Sequence, residues 1–180
     1  YMIPKDGMQA HIERDHAANV QISIHAQGDR AVRDTLDIYE AALTAAPRKD
    51  HRFRLEHVAL GLPEDIERAA RLGVALSFHI NHLYYYGRAL RDEIIGAERA
   101  QRSFPIGTAV SHSHRISLHA DSPMYPANPL LLMRTAVTRQ TREGDVIGTD
   151  EAISIDDAIK GVTIDAAWQL FMEDKVGSLE

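Results

Sequence analysis

Val20-Gln-Ile-Ser-Ile-His-Ala-Gln-Gly-Asp-Arg-Ala31 is the stretch whose reading decides the fold. Val20, Ile22 and Ile24 alternate with Gln21, Ser23 and His25, so an extended chain places aliphatic side chains on one face and polar ones on the other. Gly28 supplies a flexible turn, Asp29 can cap a helix, and Val32, Leu36, Tyr39 and Leu43 then recur at helical spacing. The stretch predicts a strand, a short loop and a helix, with His25 at the carboxyl end of the strand. In α/β folds that end is where chemistry collects.

Two further stretches repeat the design. Arg52-Phe-Arg-Leu-Glu-His57 reads as a short strand finishing in histidine, and Ile116-Ser-Leu-His-Ala-Asp121 as one whose polar face is Ser117, His119 and Asp121. Three strands ending in His or Asp suggest one shared site. A fourth strand, Val74 to Phe78, alternates Ala75, Ser77 and His79 against Val74, Leu76 and Phe78.

Helical patterns separate them. Gly7 to Ala18 and Arg30 to Ala46 read as helices, and Pro63 opens a third, with Glu64 and Asp65 near its positive end, Arg68 and Arg71 near its negative end and Gly73 closing it. Residues 80–96, with Tyr84-Tyr-Tyr86 and Gly87, keep no sustained period and are expected to form a substrate-covering loop. Helical pattern resumes near Glu98, breaks at Pro105 and leads to the last strand. Asp121 to Pro126 reads as a rigid loop and Pro129 to Val137 as a helix. Ser154-Ile-Asp-Asp157 starts a final helix, whose buried side is expected to be Ile155, Ala158, Ile159, Val162, Ala166 and Leu170. Four βα units in succession call for parallel strands with right-handed crossovers. A complete eight-fold barrel takes about 250 residues, so four units make half of one.

Composition bounds the function. The chain has 180 residues, 44% of them hydrophobic, and a net charge of −6. It is long enough for one domain with a real core. Nothing basic enough to bind nucleic acid is present. The absence of cysteine excludes disulfides and thiolate metal sites. No apolar run approaches the roughly 20 residues needed to cross a bilayer, which leaves no membrane partner and a cytoplasmic location as the default.

Taken together, His25-Ala-Gln-Gly-Asp-Arg-Ala31, Arg54-Leu-Glu-His57, Ser77 with His82, and Ala120-Asp-Ser-Pro123 resemble the successive signatures of the metal-dependent amidohydrolase superfamily. The resemblance is greatest to the amidohydrolase family 3 branch, which includes N-substituted formamide deformylase-like enzymes. Glu173 to Glu180 resembles the point where that family's chain leaves the barrel for a small β-sandwich. The resemblance implies a partial TIM (β/α)8 barrel, α/β in class, whose four βα units are strands five to eight of a parallel sheet. Residues 1–180 are then a single domain, the C-terminal half of a hydrolase barrel. The start at Tyr1 rather than Met and the abrupt end suggest a fragment of a longer chain.

The same resemblance implies one or two divalent metals, usually Zn2+, at the carboxyl ends of the strands. His25 and His57 would bind one; Asp121 would bind the other and shuttle the catalytic proton. His82 is expected to contact an amide-type small-molecule substrate, and Asp29 either to orient a ligand or arginine or simply to cap its helix. The implied reaction is hydrolysis of a C–N bond. A His-x-His pair from strand one and a bridging carboxylate or modified lysine from strand four are expected earlier in such a chain. Alternative readings are a catalytically silent half-barrel scaffold, or the same barrel acting on a cyclic amide, ester or deaminated ring.

Other histidines have plainer readings. His79 and His119 can fill the barrel interior with hydrogen-bonding groups. His112-Ser-His114 has metal-pair spacing but lies at the wrong end of its strand, and His11 to His16 misses the one-turn spacing of a zinc helix. Glu56, next to His57, is expected to point away from the site and to pair with Arg52 or Arg54. A half barrel exposes two strand edges, so self-association through the open sheet is expected.

Overall fold

Four short strands, Ser23–Ala26 (β1), Arg54–His57 (β2), Ala75–Phe78 (β3) and Ile116–Leu118 (β4), lie side by side in chain order, all parallel. The computed structural model describes residues 3–178; Leu179 and Glu180, the end of the segment compared above with a barrel exit, lie outside them. Parallel neighbours need crossovers. Asp29–Ala45 (α2) joins β1 to β2, and Pro63–Leu72 (α3) joins β2 to β3. Asn81–Ala89 (α4), Ala97–Gln101 (α5) and Ile106–Ser111 (α6) lie between β3 and β4. Lys5–Ala17 (α1) precedes the sheet, and Pro129–Thr138 (α7), Ile155–Val162 (α8) and Ile164–Trp168 (α9) follow it. The result is four consecutive units of a (β/α)8 barrel, as the alternation predicts. No helix among the described residues is long and apolar enough to cross a membrane.

Local chemistry explains the helices. α2 buries Val32, Leu36, Tyr39 and Ala42, one stripe at helical spacing. α3 begins on Pro63, carries Glu64 and Asp65 in its first turn, and ends where Gly73 turns left-handed with φ of 69°. α8 is capped by Ser154, whose hydroxyl accepts from the Asp157 N–H at 3.1 Å.

The two faces of the sheet differ. Leu55, Leu76, Phe78 and Ile116 join the helices' apolar side chains in one core cluster. The opposite face is polar. Parallel register aligns His25 with Glu56, Glu56 with Ser77, and Ser77 with Ser117, one row across the inner wall. At the far end of this face Gln169, buried, accepts from Ser117 Oγ at 2.8 Å. Its amide donates to the Leu76 and Arg115 carbonyls at 3.0 and 2.9 Å.

Two expectations are corrected. Residues 81–89 are helical and Leu90–Ile94 continue as a π-helical turn, so most of the expected loop is a wall. The helix from Ser154 breaks at Thr163, whose φ and ψ are −130° and −104°, and a new helix starts. The buried stripe also differs from the expected one, on both sides of the break. Ile155 and Leu170 are exposed, while Ala158, Gly161, Ala167 and Gln169 are buried.

Candidate metal centre

His25 is the last residue but one of β1, and its ring centroid lies 4.3 Å from that of His57, which ends β2. His57 in turn lies 5.4 Å from His79 and 5.1 Å from His119. His79 lies 3.9 Å from His82, in the first turn of α4. Five imidazoles from four successive units thus form a continuous cluster along the carboxyl rim of the sheet. Asp121, after β4, completes it. Among the described residues, single ligand atoms of His57, His79 and Asp121 lie within 4.8 Å of one another.

Backbone conformation aims two of these groups. By strict alternation His57 shares its phase with Phe53 and Leu55, both buried in the apolar core. It departs from that phase because His57 and Val58 have φ of 75° and 49°, left-handed values that turn the chain at the strand end. Asp121 is left-handed too, with φ of 53°. Such values at residues other than glycine cost about 1–3 kcal/mol each and gather at functional sites. His79 needs no such turn, since it follows Ser77 on the inner face.

The electrostatics suit metal ligation. Burial, together with the neighbouring His119 and His25, lowers the His57 pKa to about 4. Burial and the neighbours His82, His119 and His57 lower that of His79 to about 3. His82 and His119 are lowered as well, chiefly by burial. His57 and His79 are therefore neutral near pH 7, with lone pairs available. His57 Nδ1, His119 Nε2 and both nitrogens of His79 are buried without a hydrogen-bond partner. Buried imidazole nitrogens normally find partners. The nearest carboxylate oxygen, Oδ2 of Asp121, is 3.8 Å from His79 Nδ1, too long for a hydrogen bond. Neutral imidazoles with unspent lone pairs beside an accessible carboxylate are the donor set of a divalent transition-metal site, so the residues fit such an ion.

The remaining candidates fall as follows. His25, exposed, adjoins His57 but is not part of the 4.8 Å group. Asp29 opens α2, and its carboxylate accepts from the Arg30 N–H at 2.7 Å. Glu56 does not point away from the inner face: it accepts from Ser23 Oγ at 2.5 Å and from Arg54 Nε at 2.6 Å. Register explains this, because Glu56 aligns with His25. The expected ion pair with Arg54 is present. Burial raises the Glu56 pKa, but the Ser23 hydroxyl and the Arg54 charge outweigh it and hold the carboxylate below its usual range. His112 is exposed after α6, and His114 Nε2 lies 3.0 Å from the Ile66 carbonyl oxygen. His16 caps a distant contact at 2.6 Å from the Ala46 carbonyl. The residue that sequence reading undervalued is His79. Its signal was the phase it shares with Ser77 at a strand end.

Comparison with known proteins gives consistent results. A family model described as "Amidohydrolase family" matches residues 1–180. Protein LONG AFTER FAR-RED 3 of Arabidopsis thaliana is 33% identical over 164 residues, covering 90% of this chain and 28% of that protein. N-substituted formamide deformylase of Arthrobacter pascens is 29% identical over 161 residues, covering 89% of this chain and 30% of the enzyme. The crystal structure of an uncharacterized metal-dependent hydrolase from Pyrococcus furiosus matches with a TM-score of 0.80 at 28% identity, covering 99% of this chain and 35% of that one. The chain thus spans 28–35% of the length of these relatives.

Proposed function

Because this chain belongs to the amidohydrolase family, we propose that it contributes the metal centre's C-terminal half to a hydrolase that cleaves C–N, amide-type bonds. The observation that carries the reading is the convergence of His57, His79 and Asp121 ligand atoms within 4.8 Å. Since the relatives are about three times as long, the complete polypeptide is the catalytic unit in this proposal. Residues 1–180 form one domain within it.

His25, His57 and Asp121 are the proposed ligands, with His79 added by its geometry. These residues would hold a divalent ion, zinc in this proposal, which would supply Lewis acidity and lower the pKa of a bound water. The chain's own groups do the rest. Neutral His57 and His79 offer lone pairs at neutral pH without competition from protons. The Asp121 carboxylate, about half exposed at 46%, takes the proton of the attacking water and passes it to the departing amine nitrogen. His82, whose ring is tilted against that of His79 at 3.9 Å, orients the substrate. Asp29 holds the first turn of α2, at the end of the short loop that follows the strand carrying His25.

The test uses the full-length protein, with metal content measured by elemental analysis and hydrolysis measured on a panel of simple amides. Wild type is expected to hold a divalent metal and turn over at least one amide. Asp121→Asn is expected to lower kcat by about 10²–10⁴ while circular dichroism stays unchanged. A full-length protein that takes up no metal and hydrolyses nothing would leave the scaffold reading in its place.

A further inference from the structure

Asp121 opens a loop that lies on the surface. Every residue from Asp121 to Asn128 is exposed except Tyr125, which is 8% exposed. The backbone bonds of the loop are local: the Met124 N–H donates to the Asp121 carbonyl at 2.8 Å, the Asn128 N–H to the Pro126 carbonyl at 2.9 Å, and the Asn128 carbonyl accepts from the first turn of α7. A segment bonded mainly to itself and facing solvent has little local stability of its own. A side chain must hold it to the barrel.

Tyr125 is placed to do so. It belongs to the main core cluster, and its ring stacks on Tyr85 of α4 with centroids 4.5 Å apart and planes 6° from parallel. The same ring lies 5.5 Å from that of His79 and meets His82 edge-on at 6.0 Å. One residue of the loop thus reaches the end of β3 and two positions of α4. Its hydroxyl is buried near the Tyr86 side chain but has no hydrogen bond of good geometry, so the hold is that of the ring.

Two features connect this anchor to the carboxylate. The bond from Met124 to Asp121 closes a turn immediately before Tyr125, and Pro123 and Pro126 restrict the backbone on either side. A turn braced in this way moves as a block. Asp121 itself is left-handed, with φ of 53°, a conformation that persists only where the surroundings enforce it. Asp121 Oδ2 lies 3.8 Å from Nδ1 of the same His79 against which Tyr125 packs.

We propose that Tyr125 is a positioning residue for the metal centre: its ring, packed on Tyr85, His79 and His82, fixes the loop that carries Asp121 and thereby sets the carboxylate beside His79. The inference rests on the proposed function for the reaction and adds a residue that acts through Asp121. Stacked and edge-on rings have preferred geometries, so they fix orientation as well as bury area. Misplacing a catalytic group by one ångström can lower a rate by about 10²-fold.

The experiment compares Tyr125→Ala and Tyr125→Phe in the full-length protein, with Tyr85→Ala breaking the same stack from the other side if Tyr125→Ala does not fold. Hydrogen exchange of the peptide covering residues 121–128 is followed by mass spectrometry, metal affinity by competition with a chelator, and kcat and KM on an amide that wild type hydrolyses. Tyr125→Ala is expected to speed exchange in that peptide while the strand peptides keep their protection. It is expected to loosen the metal by about tenfold or more and to lower kcat by about 10²-fold with KM nearly unchanged. Tyr125→Phe is expected to match wild type in every readout. In an Asp121→Asn background, Tyr125→Ala is expected to lower kcat far less than it does in wild type, because the two residues act as one. Unchanged exchange in Tyr125→Ala overturns the anchor. Faster exchange with unaltered metal affinity and kcat overturns the positioning role and leaves Tyr125 as packing. Equal losses in Tyr125→Phe and Tyr125→Ala overturn the assignment to the ring. A full-length protein without metal or hydrolysis, in which Tyr125→Ala still speeds exchange at residues 121–128, overturns the proposed function and supports the anchor.

Discussion

His57 owes its place to two left-handed residues rather than to its position in an alternating strand. Counting by twos puts it with Phe53 and Leu55 in the core; φ of 75° takes it out of that phase and brings its ring to 4.3 Å from His25. His79 reaches the same cluster by alternation alone and is fully buried; the Ala120 carbonyl lies near its ring, but neither nitrogen has a hydrogen bond of good geometry. A structural histidine normally makes at least one well-formed bond. His79→Ala in the full-length protein is therefore expected to loosen metal binding by at least the roughly 10–100-fold that loss of an outer-shell partner costs. Competition with a chelator of known affinity measures this. Affinity unchanged by His79→Ala but reduced by His25→Ala would return His79 to the role of interior packing.

At the scale of elements, α4 is the lesson in how a helix can hide. Gly87 sits in its middle, where glycine normally argues against a helix. Packing requires it there, since a Cβ at Gly87 would meet Thr141 Cγ2 at 2.6 Å. Three consecutive tyrosines obscure the period further. One of them, Tyr85, stacks on Tyr125 at 4.5 Å and ties α4 to the loop after Asp121.

His51 ties other elements together. Its Nδ1 accepts from the Phe53 N–H at 2.9 Å, and its Nε2 lies 2.8 Å from the Leu72 carbonyl at the end of α3. This pattern needs the neutral ring. Burial lowers the His51 pKa below 6.5; the Leu72 carbonyl and Asp50 raise it, and Arg48 and His16 lower it further. The unfolded chain binds the proton more readily, so the contribution to stability is complete above about pH 6.5 and is lost as pH falls toward the lower folded value. Urea unfolding of wild type and His51→Gln at pH 7.5 and 5 is expected to show a smaller acid-induced loss in the variant. Equal losses would show that the clamp does not sense pH. His57, His79, His82, His114 and His119 are shifted in the same direction, each chiefly by burial, and add a common background slope in both proteins.

At the scale of the molecule, the sheet order β1-β2-β3-β4 leaves β1 and β4 each with one edge unpaired among the described residues. Beside β1 lies an open groove lined by Ile3, Met8, Ile12, Ile22 and Ile24. Unpaired parallel strands with apolar surface alongside recruit further strands. The 180-residue chain is expected to self-associate, and light scattering after size-exclusion chromatography at rising concentration tests it. A single monomeric mass throughout would count against association through the edges. In the full-length protein, whose relatives are far longer, the same edges have other parts of one polypeptide available to them.

Alternation, helix spacing and caps determined the order of four βα units and the rim on which His25, His57 and Asp121 end, because period and end signals are local properties of the chain. The same signals placed Pro63, Gly73 and Ser154 at the helix ends where they are found. Tertiary structure alone decided which imidazoles meet. The left-handed turns at His57 and Asp121, the close approach that demands Gly87, and the register that sets Glu56 beside His25 all depend on neighbours distant in sequence. Side-chain direction at a strand end depends on the backbone after the strand, and periodicity carries no information about it.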